Sequence, residues 1–170
     1  MESKNMTRYV KVALMGAGYA GKSTLIKLLT ENTEKLHTNY QPTVGCDVGT
    51  ISLDDSTRVT LLEMGGQSHF EFMWADLLKG SKMIVVVTES NPKAVLKTRM
   101  LLQKYKDKID GVPVIAIANK QDIPGSMKPR SVEDLLGVPT YGMVAIDPKQ
   151  RLDGYKLIVN GLKDMVQIAS

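Results

Sequence analysis

The sequence predicts an α/β fold: a three-layer sandwich around a mostly parallel sheet of about six strands, with one antiparallel edge strand and about five helices. Apolar runs rich in β-branched residues alternate with segments of helical period along the whole chain. Two runs, residues 83–88 and 112–118, are continuously apolar, which is typical of central parallel strands covered on both faces. Because the 170 residues contain no linker-like segment, we expect one domain over residues 1–170, with a short flexible N-terminus over residues 1–7.

The predicted elements begin with a strand at residues 9–15 and a helix at residues 22–29, whose apolar residues supply a buried side. Segments 48–53 and 58–63 flank Asp54-Asp55-Ser56. Because Asp and Ser favour tight turns, these segments predict an antiparallel hairpin at the sheet edge. The later elements are a strand at 83–88, a helix at 92–108, a strand at 112–118, a short helix near 131–136, a strand near 141–146 and a last helix at about 152–168.

A glycine-rich segment, residues 16–23, follows the first strand and leads into the first helix. In the pattern G-x-x-x-x-G-K-[ST], glycines let backbone N–H groups turn toward phosphate oxygens, and the helix presents its positive N-terminus to the same charge. Lys22 adds a cation for the β and γ phosphates, and the Ser23 hydroxyl is a ligand for Mg²⁺. A glycine turn with a solvated lysine is the alternative, but the strand and helix on either side favour a nucleoside triphosphate site, without choosing between ATP and GTP. The candidate phosphate-binding residues are Gly16, Gly18, Tyr19, Ala20, Gly21, Lys22, Ser23 and Thr24.

A candidate base-reading motif, Asn119-Lys120-Gln121-Asp122, follows the 112–118 strand, at the carboxyl end where open α/β sheets bind ligands. The Asp122 carboxylate can accept hydrogen bonds from N1–H and the 2-amino group of guanine, whereas adenine has no donor at either position. Sites of that kind discriminate by about 10⁴ to 10⁵. Asn119 is expected to tie this segment to the phosphate loop, the Lys120 stem to cover the purine, and the Ala145 N–H to donate to guanine O6. A simple turn at a strand end is the alternative. Together with the phosphate loop, the motif predicts binding of GTP and GDP with Mg²⁺.

Composition and charge limit the other classes of function. The formal net charge is +4, but positive and negative residues are interspersed, so we predict no DNA or RNA binding. The single cysteine, Cys46, cannot form an internal disulfide, and no apolar run approaches the roughly 20 residues that span a bilayer. Glu2 stands where N-myristoylation requires glycine, and the C-terminus carries no prenylatable cysteine. We therefore expect a cytoplasmic protein without a direct lipid anchor, whose membrane contact is weak or made through partners.

Three further motifs carry a resemblance to a known family. Residues 41–45 read Gln-Pro-Thr-Val-Gly, residues 65–67 read Gly-Gly-Gln, and residues 118–124 read Ala-Asn-Lys-Gln-Asp-Ile-Pro. With the phosphate loop, they resemble the Ras-like small GTPases and, within them, the Arf, Arf-like and Sar branch. The resemblance implies the P-loop GTPase fold and a GTP/GDP cycle. In that cycle switch I (about residues 38–47) and switch II (about residues 63–78) read the γ-phosphate.

The resemblance also implies roles for individual residues. Thr43 would bind Mg²⁺ and sense the γ-phosphate, Gly66 would sense it in switch II, and Gln67 would orient the attacking water. An ordinary extended loop at Thr43 and a solvated glutamine at Gln67 are the alternatives. The family further implies an exchange factor, a GTPase-activating protein and effectors that act through the switch regions.

The sequence departs from the family at three positions of the site. Glu63 stands where the family has an aspartate that holds Mg²⁺ through a water, and its extra methylene predicts an altered Mg²⁺ dependence. Gly18 stands where many members of the branch have an acidic residue, which leaves room for an arginine from another molecule. Tyr40 stands where heterotrimeric α subunits carry their own arginine. Since such an arginine contributes roughly 10³ to 10⁵ in rate, we predict slow intrinsic hydrolysis without a partner.

A short stretch of switch II holds both phenylalanines and the only tryptophan. On a helix Phe70, Trp74 and Leu77 share one face, which predicts an apolar partner surface gated by the nucleotide. Packing of all three beneath the sheet is the alternative. The positions of the family's effector-binding aromatic triad fall here on Cys46, Leu62 and Leu77, so the resemblance does not predict which partners bind.

The sequence therefore predicts a GTP-binding regulatory switch that hydrolyses GTP slowly and depends on Mg²⁺. A GTP-gated binding module with negligible turnover is the second hypothesis. It is favoured by Glu63 and the missing arginine, while Gln67 argues against it. An ATP-dependent kinase or motor subunit is the third hypothesis, and Asn119 and Asp122 argue against it.

Overall fold

A computed structural model of the protein describes residues 6–30, 46–65 and 72–169. In these ranges the strands are β1 (Arg8–Met15), β2 (Cys46–Ser52), β3 (Thr57–Met64), β4 (Met83–Glu89), β5 (Val114–Asn119) and β6 (Thr140–Gly142). They form one sheet in the order β2-β3-β1-β4-β5-β6. Neighbouring strands pair in parallel, except β2 and β3, which are antiparallel. The predicted mostly parallel sheet with one antiparallel edge strand is confirmed.

The α-helices of the described residues are α1 (Lys22–Leu29), α2 (Trp74–Leu78), α3 (Pro92–Lys104), α4 (Pro129–Leu136) and α5 (Arg151–Ala169). A proline in the first turn begins both α3 and α4, where its fixed φ suits a helix and its missing N–H costs nothing. The Asn91 side chain caps α3 by accepting a hydrogen bond from the Ala94 N–H at 2.9 Å. Within the same ranges, no helix is both long and apolar enough to cross a membrane.

The sheet separates two hydrophobic clusters, and alternate residues of its central strands point into each. On β4, Met83, Val85 and Val87 pack into the cluster that includes residues of α1 and α5. Ile84 and Val86 pack into the cluster on the opposite face, which includes residues of α2, α3 and α4. The period-two alternation of a strand therefore fills both cores and produces the predicted three layers.

The hairpin between β2 and β3 turns where the sequence predicts. The Ser56 N–H donates to Asp54 Oδ1 at 2.8 Å, as expected for an aspartate that stabilises its own turn. The same hydrogen bond holds the pKa of the Asp54 carboxyl below its usual value. Ser52 pairs with Arg58 in the antiparallel ladder directly beyond this turn.

Several predicted boundaries differ from the structure by one or more residues, including those of a strand, a helix and a second strand near the site. The strand predicted near residues 141–146 ends at Gly142, because the Val144 N–H donates to Gln150 Oε1 at 2.7 Å and leaves the ladder. The helix predicted at 92–108 ends at Lys104 and is followed by a 3₁₀ turn at Lys106–Lys108. The strand predicted from residue 112 begins at Val114, because Pro113 has no N–H to donate to a ladder.

Candidate functional site

The loop between β1 and α1 is shaped by close backbone approaches. A Cβ added at Gly16 would lie 2.3 Å from the Val87 carbonyl oxygen, so the loop and β4 meet only because Gly16 has no side chain. Gly21 has a φ of +105°, and an added Cβ would lie 2.2 Å from Asn119 Nδ2. Tyr19 also has a left-handed φ of 66°, which costs energy in a residue with a side chain. Glycine is therefore required at positions 16 and 21 by contact as well as by conformation.

Lys22 opens α1 and is buried, with 3% of its surface exposed. Its Nζ donates to the carbonyl oxygens of Gly16 at 2.7 Å and Ala17 at 2.8 Å, so the ammonium group lies inside the loop. Burial lowers the pKa of Lys22 from 10.5 to about 8, and the negative charge of Glu63 partly opposes this shift. Phosphate oxygens in the loop would favour the charged form, as predicted for a phosphate-binding lysine.

The next residue of α1, Ser23, contacts Glu63, the residue that stands where the family has an aspartate. Its Oγ donates to Glu63 Oε2 at 2.6 Å. Glu63 lies near the end of β3, opposite Leu14 of β1, and is 3% exposed. Hydroxyl and carboxylate oxygens are the hard ligands that Mg²⁺ accepts, so this pair fits the predicted metal site. The described parts of the chain contain no group of three or more His, Cys, Asp and Glu side chains that could hold a metal.

The Asn119 side chain joins the predicted base-reading motif to the phosphate loop. Asn119 ends β5 and is 3% exposed. Its Nδ2 donates to the Ala20 carbonyl oxygen at 3.0 Å, and its Oδ1 accepts from the Ala145 N–H at 3.0 Å. The predicted tie between the two loops is confirmed, and it extends to a third segment after β6.

The other base-reading residues lie at the same edge of the sheet. Lys120 has a left-handed φ of 64°, and its Nζ lies 3.4 Å from Glu89 Oε1. Asp122 is exposed. Their contacts with guanine stay predictions. The Ala145 N–H already donates to Asn119 Oδ1. Donation to guanine O6 therefore requires that this hydrogen bond be broken or become bifurcated.

Two polar residues that the sequence analysis missed support Asn119. Ser90 is 4% exposed, and its Oγ donates to the Asn119 carbonyl oxygen at 2.6 Å. Gln121 Nε2 donates to Ser90 Oγ at 2.6 Å and to the Met127 carbonyl oxygen at 3.0 Å. One signal for Ser90 was available, because it directly follows β4 at the carboxyl edge where β5 places Asn119. A polar residue at that position of a neighbouring strand belongs to the same loop cluster.

The predicted partner surface is wrong for Trp74. This residue is 1% exposed, its ring centroid lies 5.4 Å from that of Tyr105, and its Nε1 donates to the Gly65 carbonyl oxygen at 3.3 Å. Leu77 is partly buried and packs against the same cluster. The reason is that α2 begins at Trp74 and is only five residues long, so Trp74 and Leu78 form its buried side. Phe72, which precedes α2, is 79% exposed instead.

Some of the predicted site residues lie in parts of the chain that the structure does not describe, and others lie in the loop and in α1. Thr43, Gly66, Gln67 and Phe70 lie outside the described residues. Gly18 lies in the phosphate loop beside a recess against α3. Thr24 follows Ser23 in the first turn of α1.

The glycine-rich loop lies between the central parallel strand β1 and α1, and a buried asparagine joins it to the loop after β5, two strands away in the sheet. This arrangement defines a class of nucleotide-binding protein. Together with the sheet order, it is the arrangement of the P-loop GTPase fold. The family model of the ADP-ribosylation factor family matches residues 1–160. The chain therefore belongs to the ADP-ribosylation factor family and is a GTP-binding regulatory GTPase of the Arf-like type.

Similar proteins of known name agree with this assignment. ADP-ribosylation factor-like protein 3 of Saccharomyces cerevisiae is 25% identical over 169 residues, covering 96% of this chain and 85% of the relative. ADP-ribosylation factor-like protein alp41 of Schizosaccharomyces pombe is 27% identical, covering 82% of this chain and 75% of the relative. ADP-ribosylation factor-like protein 6 of Caenorhabditis elegans is 28% identical, covering 78% of this chain and 71% of the relative. At these identities the chain is a divergent member.

Proposed function

We propose that this protein is a Mg²⁺-dependent switch that hydrolyses GTP to GDP and phosphate slowly, by attack of water. Residues 38–47 and 63–78 read the γ-phosphate and order themselves around it. The observation that carries the proposal is the Asn119 side chain, which contacts Ala20 of the phosphate loop and Ala145 after β6. A ligand held by both loops must present phosphates at one end and a base at the other.

Each step of the cycle is assigned to residues of the chain. The loop N–H groups and Lys22 bind the phosphates, and Asp122 selects guanine. Ser23 and Thr43 are the residues that would hold Mg²⁺, with Glu63 beside Ser23, and the ion would neutralise charge on the phosphates. Gln67 orients the water. Since the sequence places no arginine of its own for catalysis, we propose that an activating protein supplies one and that turnover is slow without it.

The regulators and effectors are proposed to act through the two switch regions. The exposed Phe72, beside the start of α2, supplies apolar surface to such a partner in place of Trp74. We also propose a cytoplasmic location, in keeping with the single cysteine of the sequence.

The direct test is competition of GTP, GDP and ATP for the purified, nucleotide-depleted protein, with and without Mg²⁺, followed by hydrolysis of the bound triphosphate. We expect GTP and GDP to compete, ATP to compete at least about 10⁴-fold more weakly, and single-turnover hydrolysis to be slow. Equal competition by ATP would contradict guanine selection, and rapid single-turnover hydrolysis would contradict the need for a partner.

A second candidate function, a GTP-gated binding module with negligible turnover, is favoured by the hydrogen bond between Ser23 and Glu63, because that carboxylate differs from the family's aspartate. Replacing Gln67 with leucine separates the two functions. For a hydrolytic switch, we expect Gln67→Leu to lower single-turnover hydrolysis by about 10² or more while GTP affinity stays within about twofold, since the glutamine positions water in the transition state only. Unchanged hydrolysis in the variant would favour the binding module.

The length of the Glu63 side chain is expected to set the Mg²⁺ dependence of nucleotide release. In Glu63→Asp the carboxylate is drawn back from the Ser23 hydroxyl, and residues that orient a metal ligand commonly change metal affinity about 10-fold to 100-fold. We therefore expect the Mg²⁺ concentration that half-prevents GDP release to shift by about tenfold, as measured with a fluorescent GDP analogue. Glu133→Asp, a change of the same chemistry on α4, is the control. A release curve that coincides with that of the parent protein would sink the idea.

A further inference from the structure

Helix α3 carries an excess of positive charge that the nucleotide site does not use. Its 13 residues include four cations, Lys93, Lys97, Arg99 and Lys104, and no acidic residue. The whole chain has a formal net charge of +4, so this one helix accounts for an excess as large as that of the entire protein. Lys93, Lys97 and Arg99 are exposed, and none of the three forms an ion pair within the described ranges. On neighbouring α4, by contrast, Arg130 lies within 4.0 Å of both Glu133 and Asp134.

Apolar side chains lie between these cations. Leu96 is 54% exposed and Met100 is 66% exposed, and their spacing of four places them on one side of the helix. The inner side of α3 is already filled by Val95 and Thr98, so packing among the described residues does not account for the outer pair. Lys93, Leu96, Lys97 and Met100 follow one another at helical spacing, and we call these four residues the α3 stripe.

A recess adjoins the α3 stripe on the side of the nucleotide site. It has a volume of about 200 Å³ and is lined by Lys93 and Lys97 of α3 and by Ala17, Gly18 and Ala20 of the phosphate loop. Glu89, at the end of β4, also lines it, and its carboxylate lies 3.4 Å from Lys120 Nζ. A side chain of a partner can enter a concave space of this size, whereas the flat surface of a bilayer cannot. The recess therefore favours a protein as the occupant.

We propose that the α3 stripe is a docking surface for an amphipathic helical segment of a partner protein, with acidic residues three and four apart and apolar residues between them. The charges are complementary: the acidic side chains reach Lys93 and Lys97, the two cations of the recess, while Glu89 in the recess wall is paired with Lys120. The apolar residues cover Leu96 and Met100. A partner seated on this surface also touches the phosphate loop at Gly18, so its binding is coupled to the nucleotide.

The probe is an alanine-rich, amidated helical peptide of about four turns with glutamates three and four residues apart and leucines between them on the same face. It is titrated into the isotope-labelled full chain, and backbone amide shifts are followed by NMR. We expect shift changes on α3 and at Gly18, at least tenfold weaker binding for the peptide with glutamine in place of glutamate, and loss of binding as salt rises from about 50 mM to about 500 mM.

Two pairs of matched variants identify the surface. The double variant Lys93→Glu and Lys97→Glu reverses the charge of the α3 stripe. The double variant Lys156→Glu and Lys163→Glu reverses the charge of two exposed lysines of α5 and changes the net charge by the same amount. We expect at least tenfold weaker peptide binding for the first pair, less than twofold for the second, and the same thermal unfolding midpoint for both.

Three outcomes would overturn the proposal. The first is the absence of localised shift changes at about 1 mM peptide, a concentration that detects even weak complexes. The second is an equal loss of binding in the α5 pair, which would mean attraction by net charge alone. The third is binding to vesicles of phosphatidylserine and phosphatidylcholine that depends on Lys93 and Lys97 while the peptide does not bind, which would assign the stripe to a lipid surface.

Discussion

Replacing Asp122 with asparagine should lower the affinity for GTP by about 10⁴-fold and create affinity for xanthosine triphosphate. In the proposed site, the Asp122 carboxylate accepts from two donors of guanine, N1–H and the 2-amino group. An asparagine amide can accept from only one of them and turns its own N–H groups toward the other. Xanthine carries a carbonyl oxygen in place of the 2-amino group, so the asparagine amide can donate to it. The measurement is competition of GTP, GDP and xanthosine triphosphate against a fluorescent nucleotide.

We expect the Asp122→Asn substitution to leave the stability of the folded protein almost unchanged. Asp122 is exposed and forms no hydrogen bond or ion pair with the part of the chain that the structure describes. Exposed substitutions of this kind usually change the free energy of unfolding by less than about 0.5 kcal/mol. Asp110→Asn, at an exposed aspartate in the turn before β5, is the matched control and should leave all nucleotide affinities unchanged. Retention of the GTP preference in Asp122→Asn would mean that another group reads the base.

Gly21→Ala should weaken nucleotide binding by at least about 10²-fold, because it adds a carbon where Asn119 Nδ2 lies 2.2 Å away. Two penalties combine. An alanine in the left-handed region costs about 1–2 kcal/mol. Displacement of Asn119 from the Ala20 carbonyl oxygen leaves buried polar groups without partners, at about 1–3 kcal/mol each. Isothermal titration with GDP and thermal unfolding of the nucleotide-depleted protein measure the two effects.

The control for Gly21→Ala is Gly111→Ala. Gly111 has a φ of +73° and nothing within 4 Å of an added Cβ, so it reports backbone strain alone. In an Asn119→Ala background, the extra loss of stability from Gly21→Ala should shrink to that of Gly111→Ala, since the clash partner is gone. An undiminished loss in the double variant would show that the amide of Asn119 is not what Gly21 makes room for.

The sequence was sufficient for the central sheet and for the link between the two loops. Residues 83–88 and 112–118 were predicted as central strands because a strand covered on both faces needs apolar residues at every position. Asn119 was predicted to contact the phosphate loop because its position after one strand and the loop's position after another place both at the same sheet edge. In both cases a local pattern determines the outcome.

Other features depend on contacts between distant segments and were therefore not predicted. The burial of Trp74 follows from the residue at which α2 begins, and a run of apolar residues does not specify that residue. The early end of β6 follows from capture of the Val144 N–H by Gln150 and of the Ala145 N–H by Asn119. Ser90 and Gln121 support Asn119 through hydrogen bonds of 2.6 Å across the loop cluster. Each case requires the folded chain to show which polar group meets which.

The single amide of Asn119 has a consequence for how a bound nucleotide leaves. It connects residues 99 positions apart in the chain, so one side chain holds both the loop proposed to bind the phosphates and the segment proposed to bind the base. An exchange factor that draws the β5 end of the sheet away from the glycine loop is expected to loosen both ends of the ligand in one movement. Release of GDP should then occur in a single step, with no long-lived intermediate in which only the base or only the phosphates are free.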